Sequence, residues 1–358
     1  MRWFVGVAVA LGATTVLGSP DAQAPDAYLR STIGLSAGEV NRLQSGAAVA
    51  TLLDGRDGRE VVTFGAVHID RSPGDVLTYL TEVAALQQGD AVQQLGLVGT
   101  PPRLDDFASF TLSPRSVASL QSCRIGSCEL QLPGWGITRF RQEVPWRTTD
   151  AEPRAQTLMR SVAHETLSAY LRGGHAALAP YEDRRPSHSP SAEYRALLES
   201  DTYLPAPLTA LRYAINGFPH RAALGVRHQF FWTVVDFGMK PTFRLSHMAV
   251  ASGPAIHDPA GHVVGAVVTL QILATHYFSS TLEWHFLVRD AATPSGTYLY
   301  YLSRSSSPGL GGFKGRLLRP TVRSRGRDAI EAYLNFSKRS LEDDAGRYPI
   351  ACSNSSPC

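Results

Sequence analysis

The sequence predicts an α+β fold: an antiparallel curved sheet packed on a long C-terminal helix, with an additional helical insertion. Three observations carry this expectation. Residues 228–303 hold almost continuous strand signal with few helix formers. A capped helix start follows an early strand pattern near residue 70. An amphipathic stretch at 325–341 can lay an apolar face on the sheet as the last helix.

Taken in chain order, a polar stretch at 20–45 precedes a strand at 60–69. Ser72-Pro73-Gly74-Asp75 then reads as a helix start, because serine accepts from a free backbone N–H, proline suits the first helical position and Asp75 reaches back. Val76, Leu80, Val83 and Ala84 line one face of that helix. A second strand is expected at 107–112, and Ser113-Pro114 opens another short helix. Residues 151–172 read as a long helix whose buried stripe is Leu158, Met159, Val162, Leu167 and Tyr170, ended by Gly173-Gly174. After a polar, proline-rich loop at 180–190, two more helical segments are expected near 192–198 and 208–215.

Five strands follow, at 228–236, 242–250, 263–276, 281–288 and 297–302, joined by short turns as an antiparallel meander. Alternation within the fourth puts Leu282, Trp284, Phe286 and Val288 on one face and Glu283 and His285 on the other. A glycine-rich loop at 307–315 leads toward the last helix, whose inward side carries Ile330, Tyr333, Leu334, Ser337 and Leu341. The loop reads as a gate or connector.

The chain has 358 residues, 44% hydrophobic and 18% charged, ordinary for a globular protein. Its first residues, Met1-Arg2 followed by an apolar run from Trp3 to Leu17, have the length of a secretory signal and fall short of a bilayer span. Ala22-Gln23-Ala24 offers a cleavage site and Gly18 a competing one. Export to a periplasmic or extracellular space is therefore expected, with an uncleaved N-terminal anchor as the alternative. The division expected is a signal peptide at 1–24, an N-terminal extension at 25–54, a domain at 55–345 with its insertion at about 113–225, and a tail at 346–358.

Four cysteines form two close pairs in sequence, and an exported compartment permits disulfides. The preferred connectivity is local, Cys123 with Cys128 and Cys352 with Cys358. Zinc is disfavoured because the two pairs stand more than 200 residues apart. Net charge is +3, yet residues 304–339 carry nine basic side chains against Asp328 and Glu331. Lys314, Arg316 and Arg319 are the candidates for peripheral contact with an anionic membrane, against the simpler reading of a solvated surface. Nucleic acid is not expected, since no aromatic platform interleaves the arginines.

Catalytic motifs are missing. His164-Glu165 lacks the second histidine of a zinc-protease helix, no G-x-S-x-G elbow occurs, and the glycine loop matches no phosphate cradle. His276, His285 and Glu283 form the densest titratable group of the strand region, and on a hairpin His276 would approach His285. His247, among apolar neighbours, reads as a core histidine. No cofactor or metal is called for.

The stretch from Val67 through Ser72-Pro73-Gly74-Asp75 to Leu80 resembles the first strand and first helix of the START-like, or helix-grip, superfamily, and Tyr298-Leu299-Tyr300-Tyr301-Leu302 with the 325–341 helix resembles its end. The likeness runs over roughly residues 55–345, in patterns of polarity and not in fixed residues. It implies a sheet curled around the closing helix and an elongated apolar cavity for a lipid, sterol or polyketide. Phe230, Trp232, Leu245, Leu282, Trp284 and Phe286 are the candidate liners of that space. An enzyme on the same cavity using His276, His285 or Glu283, and an interaction protein with a filled core, are the competing expectations.

Overall fold

A computed structural model describes residues 25–82, 91–221, 224–236, 240–293 and 295–343. Residues 1–24, where a signal peptide is expected, Val83 and Ala84, and Cys352 with Cys358 lie outside the described residues. The architecture is α+β. Eight strands form one unclosed sheet, β1 (Val49–Leu53), β2 (Glu60–Ile69), β3 (Val92–Val98), β4 (Val226–Val235), β5 (Thr242–Ser252), β6 (Val263–Ala274), β7 (Ser280–Arg289) and β8 (Thr297–Ser306). Their order across the sheet is β1-β2-β8-β7-β6-β5-β4-β3, with every neighbouring pair antiparallel.

Helices cover both faces. On one face lie α1 (Pro25–Ser31), α2 (Ala37–Gln44) and the insertion, α4 (Pro114–Ser122), α5 (Gly134–Glu143), α6 (Ala151–Gly173), α7 (Pro190–Glu199) and α8 (Thr209–Asn216). On the other lie α3 (Pro73–Thr81) and the closing helix α9 (Gly312–Asp343). Each central strand therefore sends alternate residues into two different cores. Trp232, Leu245, Leu282, Trp284 and Tyr300 join the helices of the insertion, while Phe231, Met248, Val267, Leu287 and Leu299 join α3 and α9.

Local chemistry matches these elements. The Ser72 side chain caps α3 by accepting from the Asp75 N–H, and Pro73 fills the first helical position. Ser113 caps α4 in the same manner. Gly174, at φ +61°, ends α6 where the backbone needs a conformation that disfavours side chains. Gly65 lets α9 settle on β2, for a Cβ there would stand 2.6 Å from Ile330 and 2.7 Å from Leu334.

Three elements differ from the sequence expectation. Residues 107–112 are not a strand: Phe107 and Phe110 are plugs in the core, with Phe110 5.7 Å from Trp232 and 4.6 Å from Phe243 between ring centres. The strand that pairs with β4 is β3, an edge strand too exposed to show a clear apolar alternation. Ahead of β2, β1 joins the sheet and Tyr28 of α1 packs on Phe64 and Tyr300. Finally, α9 begins at Gly312, well before 325. The glycines and Pro320 read as helix breakers, but Gly315 is buried so closely against the Leu310 backbone that only hydrogen fits there.

The insertion is pinned to the end of β6. The Gln131 N–H donates to the Thr275 carbonyl at 2.7 Å, and the Ala274 N–H donates to the Tyr181 hydroxyl at 2.9 Å. A buried cation ties a second point: Arg304 of β8, 2% exposed, meets Glu60 at 2.7 Å and Asp201 at 3.5 Å and donates to the Leu197 carbonyl. Cys123 and Cys128 are joined by a disulfide across the turn after α4, and Gly126 at φ +81° makes that turn.

Candidate site between the sheet and the closing helix

The polar alternates of β4 to β8 face α3 and α9. Thr233, Arg244, Ser246, Thr269, Glu283 and His285 converge there with Tyr333 from α9, around a cavity of about 110 Å³. Leu80, Val92, Phe231, Val235, Met248 and Val267 form its apolar wall. Val92, Val235, Arg244 and Glu283 sit near strand ends, so the cavity lies toward the end of the sheet where β2 begins and β8 finishes.

Within this space Arg244 Nη2 donates to Glu283 Oε1 at 3.1 Å, with both side chains largely buried. Pairing makes the couple neutral overall, and the Glu283 charge holds the Arg244 guanidinium firmly protonated against the cost of burial. The His285 ring stacks on Tyr301 at 4.4 Å between centres, and its Nε2 lies 3.2 Å from the Tyr333 hydroxyl. Burial pushes the His285 imidazole down to about 3, so it is neutral at pH 7. With Tyr333 donating to Nε2, the ring proton sits on Nδ1, which has no protein acceptor among the described residues; Arg244 Nε is a second such donor. A cavity lined by these apolar side chains and by two such donors suits a molecule with an apolar body and an accepting group.

The six candidate liners stand elsewhere. Phe230, Trp232, Leu245, Leu282, Trp284 and Phe286 all point to the opposite face, against the insertion, and all are buried. Trp232, Leu245, Leu282 and Trp284 are packed core, whereas Phe286 borders a cleft of about 400 Å³ beside Tyr28 and Pro205, and Phe230 borders a shallow one with His228. Glu283 and His285 do share the cavity. His276 does not join them: it lies in the β6–β7 connection, near Lys240 and Glu129, and burial with the Lys240 charge lowers it to about 4.

Of the three candidate membrane contacts, Lys314 and Arg316 are exposed on the first turns of α9. Arg319 turns inward, donating to the Leu310 carbonyl at 3.1 Å. His247 is a core residue and also the centre of a hydrogen-bonded row, with Tyr170 Oη at 2.7 Å from its Nδ1 and His228 Nδ1 at 2.8 Å from its Nε2.

Sequence reasoning missed Arg244, Tyr301 and Tyr333. The available signal was a polar residue recurring on the same face of successive strands, Thr233, Arg244, Thr269, Glu283 and Tyr301, opposite the only tyrosine on the inward side of the closing helix. Among the described residues no cluster of three or more His, Cys, Asp or Glu could hold a metal ion, and no helix is long and apolar enough to cross a membrane. No family model, no curated protein and no solved structure matches this chain.

Proposed function

We propose that this is an exported START-like protein that binds a small amphipathic ligand between the sheet and α9. The observation that carries the reading is the cavity itself, lined by apolar and polar side chains together, with Arg244 Nε and His285 Nδ1 lacking protein partners among the described residues. Ligand oxygens reaching these atoms would satisfy groups whose burial is otherwise costly by about 1–3 kcal/mol each. Its apolar part would lie against Phe231, Val267 and Met248. The Cys123–Cys128 disulfide fits an oxidising compartment.

An enzyme in the same cavity is the second reading, favoured by the placement of Glu283, His285 and Tyr333 around one space. Neutral His285 would serve as a base or hydrogen-bond donor and not as a charged acid.

The test is extraction and mass spectrometry of molecules that co-purify with the protein from its native compartment. Val267→Phe, which fills the cavity, should lose the bound molecule, and Phe286→Leu on the opposite face should keep it. A protein that carries nothing, or the same molecules in both variants, would overturn the binding reading. Recovery of a chemically altered form of an added candidate would favour the enzyme.

A further inference from the structure

The N-terminal third of α9 runs out past the sheet. Gly326 lies beside Thr63 and Arg319 beside Gly58, so the turns before Arg319 extend beyond the first residue of β2. On those turns Phe313, Leu317 and Leu318 are 72%, 68% and 57% exposed, three of the most exposed large apolar side chains among the described residues. At 100° per residue, Phe313, Leu317, Lys314 and Leu318 fall on one arc of about 140°, opposite the buried Gly315. Arg316, also exposed, flanks that arc, and exposed Arg325 falls on it about two turns beyond Leu318.

Charge makes the segment stranger. Between Gly312 and Arg327 there are six cations and no acidic residue, and the first turn of the helix has no acidic group. Cations at a helix N-terminus oppose the helix dipole, so this end is electrostatically unfavourable unless anions come to it. Arg319 and Arg323 are tied to the carbonyls of Leu310 and Leu53 and Arg327 is paired with Asp328, which leaves Lys314, Arg316 and Arg325 facing outward.

We propose that this overhanging part of α9 docks onto a bilayer with anionic headgroups, Phe313, Leu317 and Leu318 entering the interface and Lys314, Arg316 and Arg325 meeting the phosphates. A bilayer is the partner that removes both unfavourable features together, burying the apolar arc and neutralising the cations. A nucleic acid or an acidic soluble protein would match the charge and leave the apolar arc wet. The sheet end that the segment overhangs is also the end toward which the cavity lies, so docking brings the cavity close to the lipid surface. Docking does not rest on the ligand reading, and each fails separately.

The test is sedimentation of the purified protein with phosphatidylglycerol/phosphatidylcholine vesicles and with pure phosphatidylcholine vesicles, at low salt. Binding should be confined to the anionic vesicles. Lys314→Gln with Arg316→Gln should weaken it about 30-fold, from about 1 kcal/mol for each cation. Phe313→Ser with Leu317→Ser and Leu318→Ser should abolish it, and both variants should melt as the parent does, since these side chains are exposed. As an independent readout, Leu317→Trp should be quenched by brominated lipid only in anionic vesicles. Failure of the parent to bind, undiminished binding by the serine variant, or binding to a DNA oligonucleotide without binding to vesicles would each overturn the proposal.

Discussion

Acid should destabilise this protein well before its carboxylates titrate, because several histidines are buried in neutral form. His285 lies under Tyr301 and Tyr333 with the Arg244–Glu283 pair nearby, and burial pushes it down to about 3. His276, facing Lys240, Glu129 and Arg115, is lowered to about 4. In the unfolded chain both titrate near 6.5. Below that value the unfolded state takes up protons that the folded state refuses, so stability is fully present above about pH 6.5 and is lost progressively as pH falls toward the folded values. At pH 5 the gap is about 1.5 pH units for each ring, hence about 2 kcal/mol each and about 4 kcal/mol together, an upper figure because some solvent reaches His285. His228 and His247, also lowered by burial, act in the same direction. Asp201, raised by burial, acts in the opposite direction, though chiefly at lower pH. Differential scanning calorimetry from pH 8 to pH 5 should therefore show Tm falling by on the order of 10 °C. His285→Gln should remove about half of that fall. A flat Tm over this range, or an unchanged slope in His285→Gln, would refute the argument.

Arg304→Met should destabilise the protein by about 3 kcal/mol, because Asp201 would be left buried without its cation and Glu60 with Arg56 alone; urea unfolding measures it. Gly65→Val should cost about 1–3 kcal/mol by lifting α9 from β2, with Ile330 and Leu334 the displaced side chains, and hydrogen exchange should rise along α9 before it rises in β6. Replacing both Cys123 and Cys128 by serine opens a short loop and should lower stability by about 2 kcal/mol, with no change in the sheet signal of circular dichroism. Glu283→Gln should keep the fold yet release Arg244 from its charge partner, read as altered affinity for an anionic or neutral probe of the cavity.

Much of the fold was legible in the sequence. Ser72-Pro73 marks α3 because capping chemistry is local, and β4 to β8 show through their own runs of strand formers. The close cysteine pair likewise foretold the disulfide at Cys123 and Cys128. Alternation in β7 correctly split Trp284 from His285. What alternation does not carry is the covering of each face. The insertion packs on the face of Trp284 and its neighbours, and α9 roofs the face of Glu283 and His285. The reason is physical: a period of two states which residues are together, whereas burial depends on which distant helix packs there, a contact spanning up to hundreds of residues. The same holds for β3, whose strand character comes from pairing with β4 and not from its own weak pattern. It holds too for the start of α9, where glycines and Pro320 argue against a helix locally and packing against Leu310 and β2 sustains one. Sequence by itself determined the elements with strong local signals and the two-faced character of the strands. Only the tertiary structure decided which face became core, which became cavity, and which side chains of α9 were left facing water.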